Sequence, residues 1–341
     1  MAAVDIRGRD FVRLSDFTAE EIDTILNLAF EMKREQRTWS IKGKTLILLF
    51  FNSSLRTRTS FEIGAAQLSL QPVVLNVGQD TWNLEWREGV VMDGDSPEHI
   101  KDAAKVLSRY GDLIGVRSFP RLKNYEEDRQ DPILASFQKY ASAPLINLES
   151  AVEHPCQGLA DLMTLRELFN QNTRRKKVVL TWAPHIKPLP LAVPHSFALA
   201  AALGGCDLTI AHPEKFDLEP EVVQQATKIA QANGGSVKVT HNQDEALRGA
   251  EVVYAKSWLS RAFYGRTDEE LAYRKTLPSW TVNEAKMART SRAKFMHCLP
   301  IRRNVVATDG VLDGDDCVIY QQAENRLHAQ KALLVKMLGE S

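Results

Sequence analysis

Short apolar runs alternate with segments of helical period along the whole chain, and no other feature narrows the fold as much. Residues 44–49, 73–77, 112–117 and 144–148 read as strands, and the pattern restarts near Lys177 with strands at 178–181, 207–210, 237–239, 252–255 and 295–297. Apolar runs this short, bounded by turn residues, are strands buried on both faces, and strands separated by helices pair in parallel. The alternation, made twice over, predicts an α/β chain with two doubly wound parallel-sheet domains. Length agrees, because 341 residues exceed what one hydrophobic core organises.

The helices between these strands carry readable ends. Thr18 with Glu21 three residues on is a capping box, and Ile22, Ile25, Leu26, Ala29 and Phe30 follow at helical spacing. Ser96 is expected to cap a helix with Pro97 at its first position and Ile100, Ala103, Ala104 and Leu107 on its apolar face. Pro155 opens another, with Leu159, Leu162 and Met163 turned inward. The last helix, about 322–338, carries Leu327, Ala329, Leu333, Leu334 and Met337 and is expected to pack back on the first domain. The domains are therefore expected at 1–152 plus about 322–341, and at 153–321. Residues 78–94 read as a mobile functional loop in which Trp82 and Trp86 stand among charges, as packing anchors or as contacts to a ligand or subunit.

Several function classes fall away. With 43 basic and 43 acidic residues the chain has no global field to draw nucleic acid or an anionic membrane. Residues 1–10 lack the apolar core of a signal peptide, and no apolar run approaches a membrane span, so a cytoplasmic protein is expected. Cys156, Cys206, Cys298 and Cys317 are scattered without a Cys-x-x-Cys pair, which predicts reduced thiols and no metal. Gly43-Lys44-Thr45 is no nucleotide loop, since Thr38 stands where its first glycine belongs and a strand follows. Gly204-Gly205 comes after a helix, not a strand, so no dinucleotide fingerprint exists and no cofactor is expected.

The chemistry concentrates where the first strand ends. Residues 52–62 offer hydroxyls at Ser53, Ser54, Thr57 and Thr59, the guanidinium groups of Arg56 and Arg58, and the free N–H groups of a starting helix. Those groups suit a phosphate, although an exposed turn shares the same composition. Arg117 leaves the third strand at its C-terminal end, where ligands gather in open α/β sheets.

Ser54-Leu55-Arg56-Thr57-Arg58 resembles the phosphate signature of the aspartate/ornithine carbamoyltransferase family. Gly115-Val116-Arg117, His154-Pro155-Cys156-Gln157 and His297-Cys298-Leu299-Pro300 with Arg302 follow in the family's order, and the likeness runs from about residue 10 to the C-terminus. The resemblance implies that Ser54, Leu55, Arg56, Thr57 and Arg58 bind the phosphate of carbamoyl phosphate, and that Arg117, His154 and Thr57 meet its carbonyl oxygen. Gln157 and the backbone carbonyls of Cys298 and Leu299 are then expected to hold the carbamoyl amide, with Arg302 and Arg326 at the same cleft. Fixed cationic donors around an oxygen that gains charge are what this transfer requires. No dedicated base is evident; the leaving phosphate can take the proton, and Cys298 is an alternative. A homo-oligomer is implied too, a trimer in which the loop holding Trp82 reaches a neighbouring site. A noncatalytic anion-binding module is the rival reading from another class.

The acceptor follows from a departure. Ornithine enzymes carry Asp-x-Trp-x-Ser-Met-Gly where this chain has residues 252–258 with Lys256, so a cation replaces an amine-binding carboxylate. Tyr254-Ala255-Lys256-Ser257-Trp258 and Thr181-Trp182-Ala183-Pro184-His185 resemble the branch acting on N-acylated ornithine, with Trp82, Glu149, His185 and Lys256 as substrate-side candidates. Acetyl-specific members place a glutamate where this chain has Pro97, and a lysine where it has Val306. Proline removes a charge that would repel a succinyl carboxylate, so the resemblance implies N-succinyl-L-ornithine as acceptor, with N-acetyl-L-ornithine the nearest alternative. Lys187 and Arg302 are both available to the distal carboxylate.

Overall fold

The computed structural model describes residues 5–34 and 39–339. Residues 1–4, 340–341 and Thr38, which entered the exclusions and boundaries above, lie outside the described residues. The chain divides into two compact units, Met1–Arg121 with Glu126–Cys156 and Arg326–Ser341, and Leu122–Tyr125 with Gln157–Asn325.

In the first unit four parallel strands, β1 (Thr45–Phe50), β2 (Gln71–Asn76), β3 (Leu113–Arg117) and β4 (Leu145–Glu149), lie in the order β2-β1-β3-β4. Every residue of β3 and β4 is buried, which accounts for their unbroken apolar runs. The order reverses between β1 and β3, so a crevice opens at their C-terminal ends. Ile47, Leu49, Ile114 and Val116 pack with Ile100, Leu134 and Phe137 in the core, each contributing about 1.5–3 kcal/mol on burial. The β3–β4 register slips between Val116 and Arg117, so that Arg117 pairs with Glu149; such a bulge re-aims a side chain next to a site.

Helix α1 (Ala19–Lys33) has the expected capping box at Thr18 and Glu21, and all five of its expected core residues are buried. α2 (Arg56–Gln67) buries Phe61 and Ala65. α3 (Ile100–Tyr110) corrects one expectation: His99, not Ser96, caps it, its Nδ1 accepting from the Lys101 N–H at 3.0 Å. Glu98–His99 is extended and pairs with Leu84–Glu85, so the helix cannot begin at Pro97. Trp86 packs against the core beneath the Arg121 guanidinium, whereas Trp82 stays 58% exposed. α4 (Pro132–Tyr140) precedes β4.

The second unit holds β5 (Lys177–Trp182), β6 (Asp207–Ala211), β7 (Ser236–Thr240), β8 (Val252–Lys256) and β9 (Lys294–Met296), parallel and ordered β9-β8-β5-β6-β7. Its switch point lies between β5 and β8. Helix α5 is Pro155–Leu168, α6 is Ala192–Leu203, α7 is Pro220–Ala232 and α8 is Ile319–Leu338. α6 is apolar apart from His195 and Ser196 and is buried throughout. Gly205 ends it at φ +66°, where a Cβ would stand 2.4 Å from the Asn233 carbonyl oxygen; this explains the second glycine of the pair. α8 starts at Ile319, earlier than expected. The division passes through α5 after Cys156 and through α8 after Asn325, inside continuous helices whose periodicity leaves no mark at the cut. Among the described residues no helix is long and apolar enough to cross a membrane.

Candidate functional site

β1 delivers the turn 51–55 to the crevice of the first unit. Asn52 Oδ1 accepts from the Phe119 N–H at 2.7 Å and ties this turn to the segment after β3. Ser54 Oγ accepts from the Thr57 N–H at 3.2 Å, leaving the neighbouring N–H groups of α2 pointing out of the helix start. Thr57 is buried, and its Oγ1 accepts from Arg326 Nη2 at 3.0 Å. Arg326 is itself buried and donates through Nε to Gln330 Oε1 at 2.8 Å. Leu55 is exposed, and Arg58 turns toward Glu62, Nε to Oε2 3.4 Å.

Arg117 emerges from the β3 bulge buried, its Nη1 donating to Glu149 Oε2 and its guanidinium 4.5 Å over the Phe119 ring. Its Nε–H meets no acceptor among the described residues. His154 is buried just before α5, with Nε2 3.6 Å from Glu149 Oε2. Burial, then the charges of Arg326, Arg117 and Arg56, hold its pKa well below the usual imidazole value, so His154 is neutral at physiological pH. Three guanidinium groups thus bear on one neutral imidazole, and Glu149, bonded to Arg117, is the carboxylate beside them. An excess of buried positive charge with an orphaned donor is the signature of an anion site. Cys156 beside it has its thiol pushed up to about 12 by burial, which leaves it inert.

In the second unit Gln157 is buried, and its Nε2 donates to Asp161 Oδ1 at 2.8 Å. The same oxygen accepts from Gln322 Nε2 at 2.6 Å, and Gln322 Oε1 accepts from the His297 N–H at 2.9 Å. Asp161 therefore orients Gln157 and, through Gln322, the end of β9. His297 Nδ1 accepts from the Leu299 N–H at 2.8 Å, and Leu299 at φ +58° precedes a cis peptide to Pro300. Cys298 is half-buried beside the Tyr254 hydroxyl, whose pKa burial raises far above its usual value.

At the end of β8 Lys256 is buried, Nζ donating to the Ser257 carbonyl at 3.0 Å. After β5, His185 Nδ1 lies 3.0 Å from the Lys187 carbonyl, and Arg302 Nε is 3.3 Å from His185 Nε2. Burial lowers the His185 pKa to about 4, with the cations Lys256, Arg302 and Arg274 adding to the shift; a neutral ring donating to Lys187 leaves Nε2 free to accept from Arg302. Trp82 and Pro97 are exposed, Trp82 Nε1 donating to Glu98 Oε2 at 2.6 Å. Among the described residues neither bonds to the Arg117–His154 group.

Three groups escaped the sequence reading: Asp161, Gln322 and Gln330. Their signal is helical spacing, since Gln157 and Asp161, like Arg326 and Gln330, stand four apart on one face.

Residues 9–167 match the model of the aspartate/ornithine carbamoyltransferase carbamoyl-P binding domain, and 192–337 match that of the Asp/Orn binding domain. N-acetylornithine carbamoyltransferase of Xanthomonas campestris pv. campestris is 45% identical over 335 residues, 98% of each chain. N-succinylornithine carbamoyltransferase of Bacteroides fragilis is 39% identical over 320 residues, 93% of this chain and 95% of the relative. The structure also superposes, at TM-score 0.93 and 45% identity over 96% of this chain and 98% of the other, on an N-acetyl-L-ornithine transcarbamylase. That relative carries a glutamate-to-proline exchange and is complexed with carbamyl phosphate and N-succinyl-L-norvaline.

Proposed function

The chain belongs to the aspartate/ornithine carbamoyltransferase family, and from that premise we propose that it carries the carbamoyl group of carbamoyl phosphate to the δ-amine of N-succinyl-L-ornithine. The products are N-succinyl-L-citrulline and phosphate, in a succinylated route to arginine. The observation that carries the transfer is that Arg56, Arg117 and Arg326 bear on a neutral His154, with Glu149 bonded to Arg117.

Residues 1–156 with the end of α8 bind carbamoyl phosphate, and 157–325 bind the acylornithine. Ser54, Arg56, Thr57, Arg58 and the N–H groups opening α2 take the phosphate, with Leu55 contributing backbone. The free Nε–H of Arg117, with His154 and Thr57, takes the carbonyl oxygen; Gln157 and the carbonyls of Cys298 and Leu299 take the carbamoyl amide. The amine lone pair forms the new C–N bond, the oxygen gains charge held by these donors, and the C–O bond to phosphate breaks. The departing phosphate accepts the ammonium proton. A neutral imidazole suits this role: His154 donates a hydrogen bond without adding a fourth cation.

Lys256 meets the α-carboxylate of the acceptor. What supports the acyl choice is Pro97, exposed and uncharged, where a glutamate would repel a second carboxylate. The solved relative with a glutamate exchanged for proline holds a succinylated ligand, which is the chemistry argued for Pro97. Overall identity runs the other way, 45% to the acetyl-named relative against 39% to the succinyl-named one, so N-acetyl-L-ornithine is the second reading. Exposed Trp82, Pro97 and Val91 fit a homotrimer in which this stretch serves a neighbouring site. The test is release of phosphate and ureido product from carbamoyl phosphate with N-succinylornithine, N-acetylornithine and ornithine in parallel. Preference for the succinyl compound supports the reading and preference for the acetyl compound discards the acyl argument. Silence with all three, alongside calorimetric binding of carbamoyl phosphate, makes the chain an anion-binding module.

A further inference from the structure

Between Glu149 and His154 the chain makes a buried turn, and its two ends bear the groups that face Arg117. The turn closes on itself: the Ser150 N–H donates to the Glu153 carbonyl at 2.9 Å, and Asn147 Nδ2 donates to the same oxygen at 3.1 Å. Asn147 belongs to β4 and also donates to Ser150 Oγ at 3.1 Å, so the strand holds the turn from below. The hold on 150–152 from outside β4 comes from Asp131, at the residue preceding α4. Asp131 Oδ1 accepts from the Ala151 N–H at 2.6 Å and Oδ2 from Ser150 Oγ at 2.7 Å, and the Val152 N–H bonds to the same carboxylate. One side chain thus takes donors from three consecutive residues of the turn.

Two further features set Asp131 apart from an ordinary helix cap. Its backbone is left-handed, φ +48° and ψ +53°, a conformation that costs a non-glycine residue about 1–3 kcal/mol. Its side chain makes no capping bond to α4; the carboxylate turns away from the helix it precedes and toward 150–152. The charged groups that bear on this pocket are Arg13 and Asp16 from the N-terminal segment and Glu153 from the turn, whose carboxyl Oε2 is occupied by the Leu14 N–H at 3.0 Å.

We propose that Asp131 is a positioning residue for carbamoyl transfer: its carboxylate fastens the 150–152 backbone and thereby sets where Glu149 and His154 stand around Arg117. The inference rests on the carbamoyl transfer reading, but not on which amine is the acceptor. Asn keeps the shape of the side chain yet turns an amide N–H₂ toward the N–H and O–H donors, so one end of the clamp opens. A displacement of the two groups near 1 Å costs up to ~100-fold in turnover.

The test uses the full chain with whichever acceptor supports turnover in the wild type. Asp131→Asn is expected to lower kcat by ~10- to 100-fold, with KM for the acceptor within twofold, and to bind carbamoyl phosphate at an unchanged calorimetric stoichiometry. Ser150→Ala, which removes one of the three donors, falls in the same direction by a smaller factor. Burial raises the Asp131 pKa to about 6, so the wild type loses kcat below that pH, and this acid limb is absent from Asp131→Asn. Wild-type kcat in Asp131→Asn overturns the proposal, as does a kcat loss matched by an equal loss of binding stoichiometry, which marks simple unfolding. If Asp131→Asn does not fold, wild-type kcat in Ser150→Ala overturns it. An inactive wild type with every amine defeats the function reading instead.

Discussion

Arg274 and Glu270 form an ion pair in the second unit with 3% side-chain exposure on each partner, and removing the arginine alone should be among the costliest single changes there. Arg274 Nη2 is 2.5 Å and Nε 2.8 Å from Glu270 Oε1. Nη1 donates to Ser257 Oγ at 2.9 Å and Nη2 to the Trp258 carbonyl at 2.7 Å, with the guanidinium 5.4 Å from the Trp182 ring centroid and 5.2 Å from that of Phe216. Arg274→Ala strands a carboxylate where water does not reach and removes the clamp on the residues following Lys256. Breaking a buried pair from one side costs about 3–5 kcal/mol. Burial already raises the Glu270 pKa, and without its partner Glu270 protonates more readily. The folded variant then binds more protons than the unfolded one, so its deficit narrows as pH falls. Replacing both partners, Glu270→Leu with Arg274→Met, should cost less than Arg274→Ala alone, because no buried charge remains. Urea unfolding followed by tryptophan fluorescence, fitted to the transition that reports Trp182, Trp258 and Trp280, measures all three, and KM for the acylornithine is expected to rise in Arg274→Ala. A loss below ~1 kcal/mol for Arg274→Ala, or a double variant less stable than the single one, refutes the reasoning.

Arg117→Ala should lower turnover by ~10²–10³-fold, about 3 kcal/mol of transition-state stabilisation; it also breaks the buried Arg117–Glu149 pair, so a loss of stability is expected alongside, and wild-type turnover in a folded variant contradicts its role. On the proposed acceptor, Pro97→Glu is expected to bring a second carboxylate toward the succinyl group, and two unit charges in contact, about 4 Å apart, repel by ~4 kcal/mol at an effective dielectric near 20. Solvent at this exposed position reduces that, so a ~10-fold swing in kcat/KM from succinyl- toward acetylornithine is expected, and an unchanged ratio sinks the charge argument. Burial raises the Glu153 pKa to about 8. Its folded value lies above its unfolded one, so its contribution is fully present below about pH 4.5 and lost as pH rises through about 8. Glu153→Gln keeps an acceptor for the Leu14 N–H and cannot ionise, so its stability relative to wild type should climb by up to ~1.4 kcal/mol per pH unit across that window; parallel pH curves of urea midpoints count against it.

Local chemistry wrote much of this molecule into the chain. The nine principal strands follow from short apolar runs, the α1 cap from Thr18 and Glu21, and the phosphate turn from hydroxyls and guanidiniums gathered within a few residues, because each depends on neighbours in the sequence. Ser96 misled for the opposite reason: a two-residue pairing of Glu98–His99 with Leu84–Glu85 overrode the local helix start. The family signature named Arg117, His154 and Arg326 as site residues, but not their state. Thr57 and Arg326 are 269 positions apart and meet at 3.0 Å, His154 is neutral because folding buries it among three arginines, and Asp131 reaches a turn twenty positions on. Segment-level apolarity and turn chemistry are properties of the sequence; burial, and the company a charge keeps once water is gone, exist only after the chain has closed on itself.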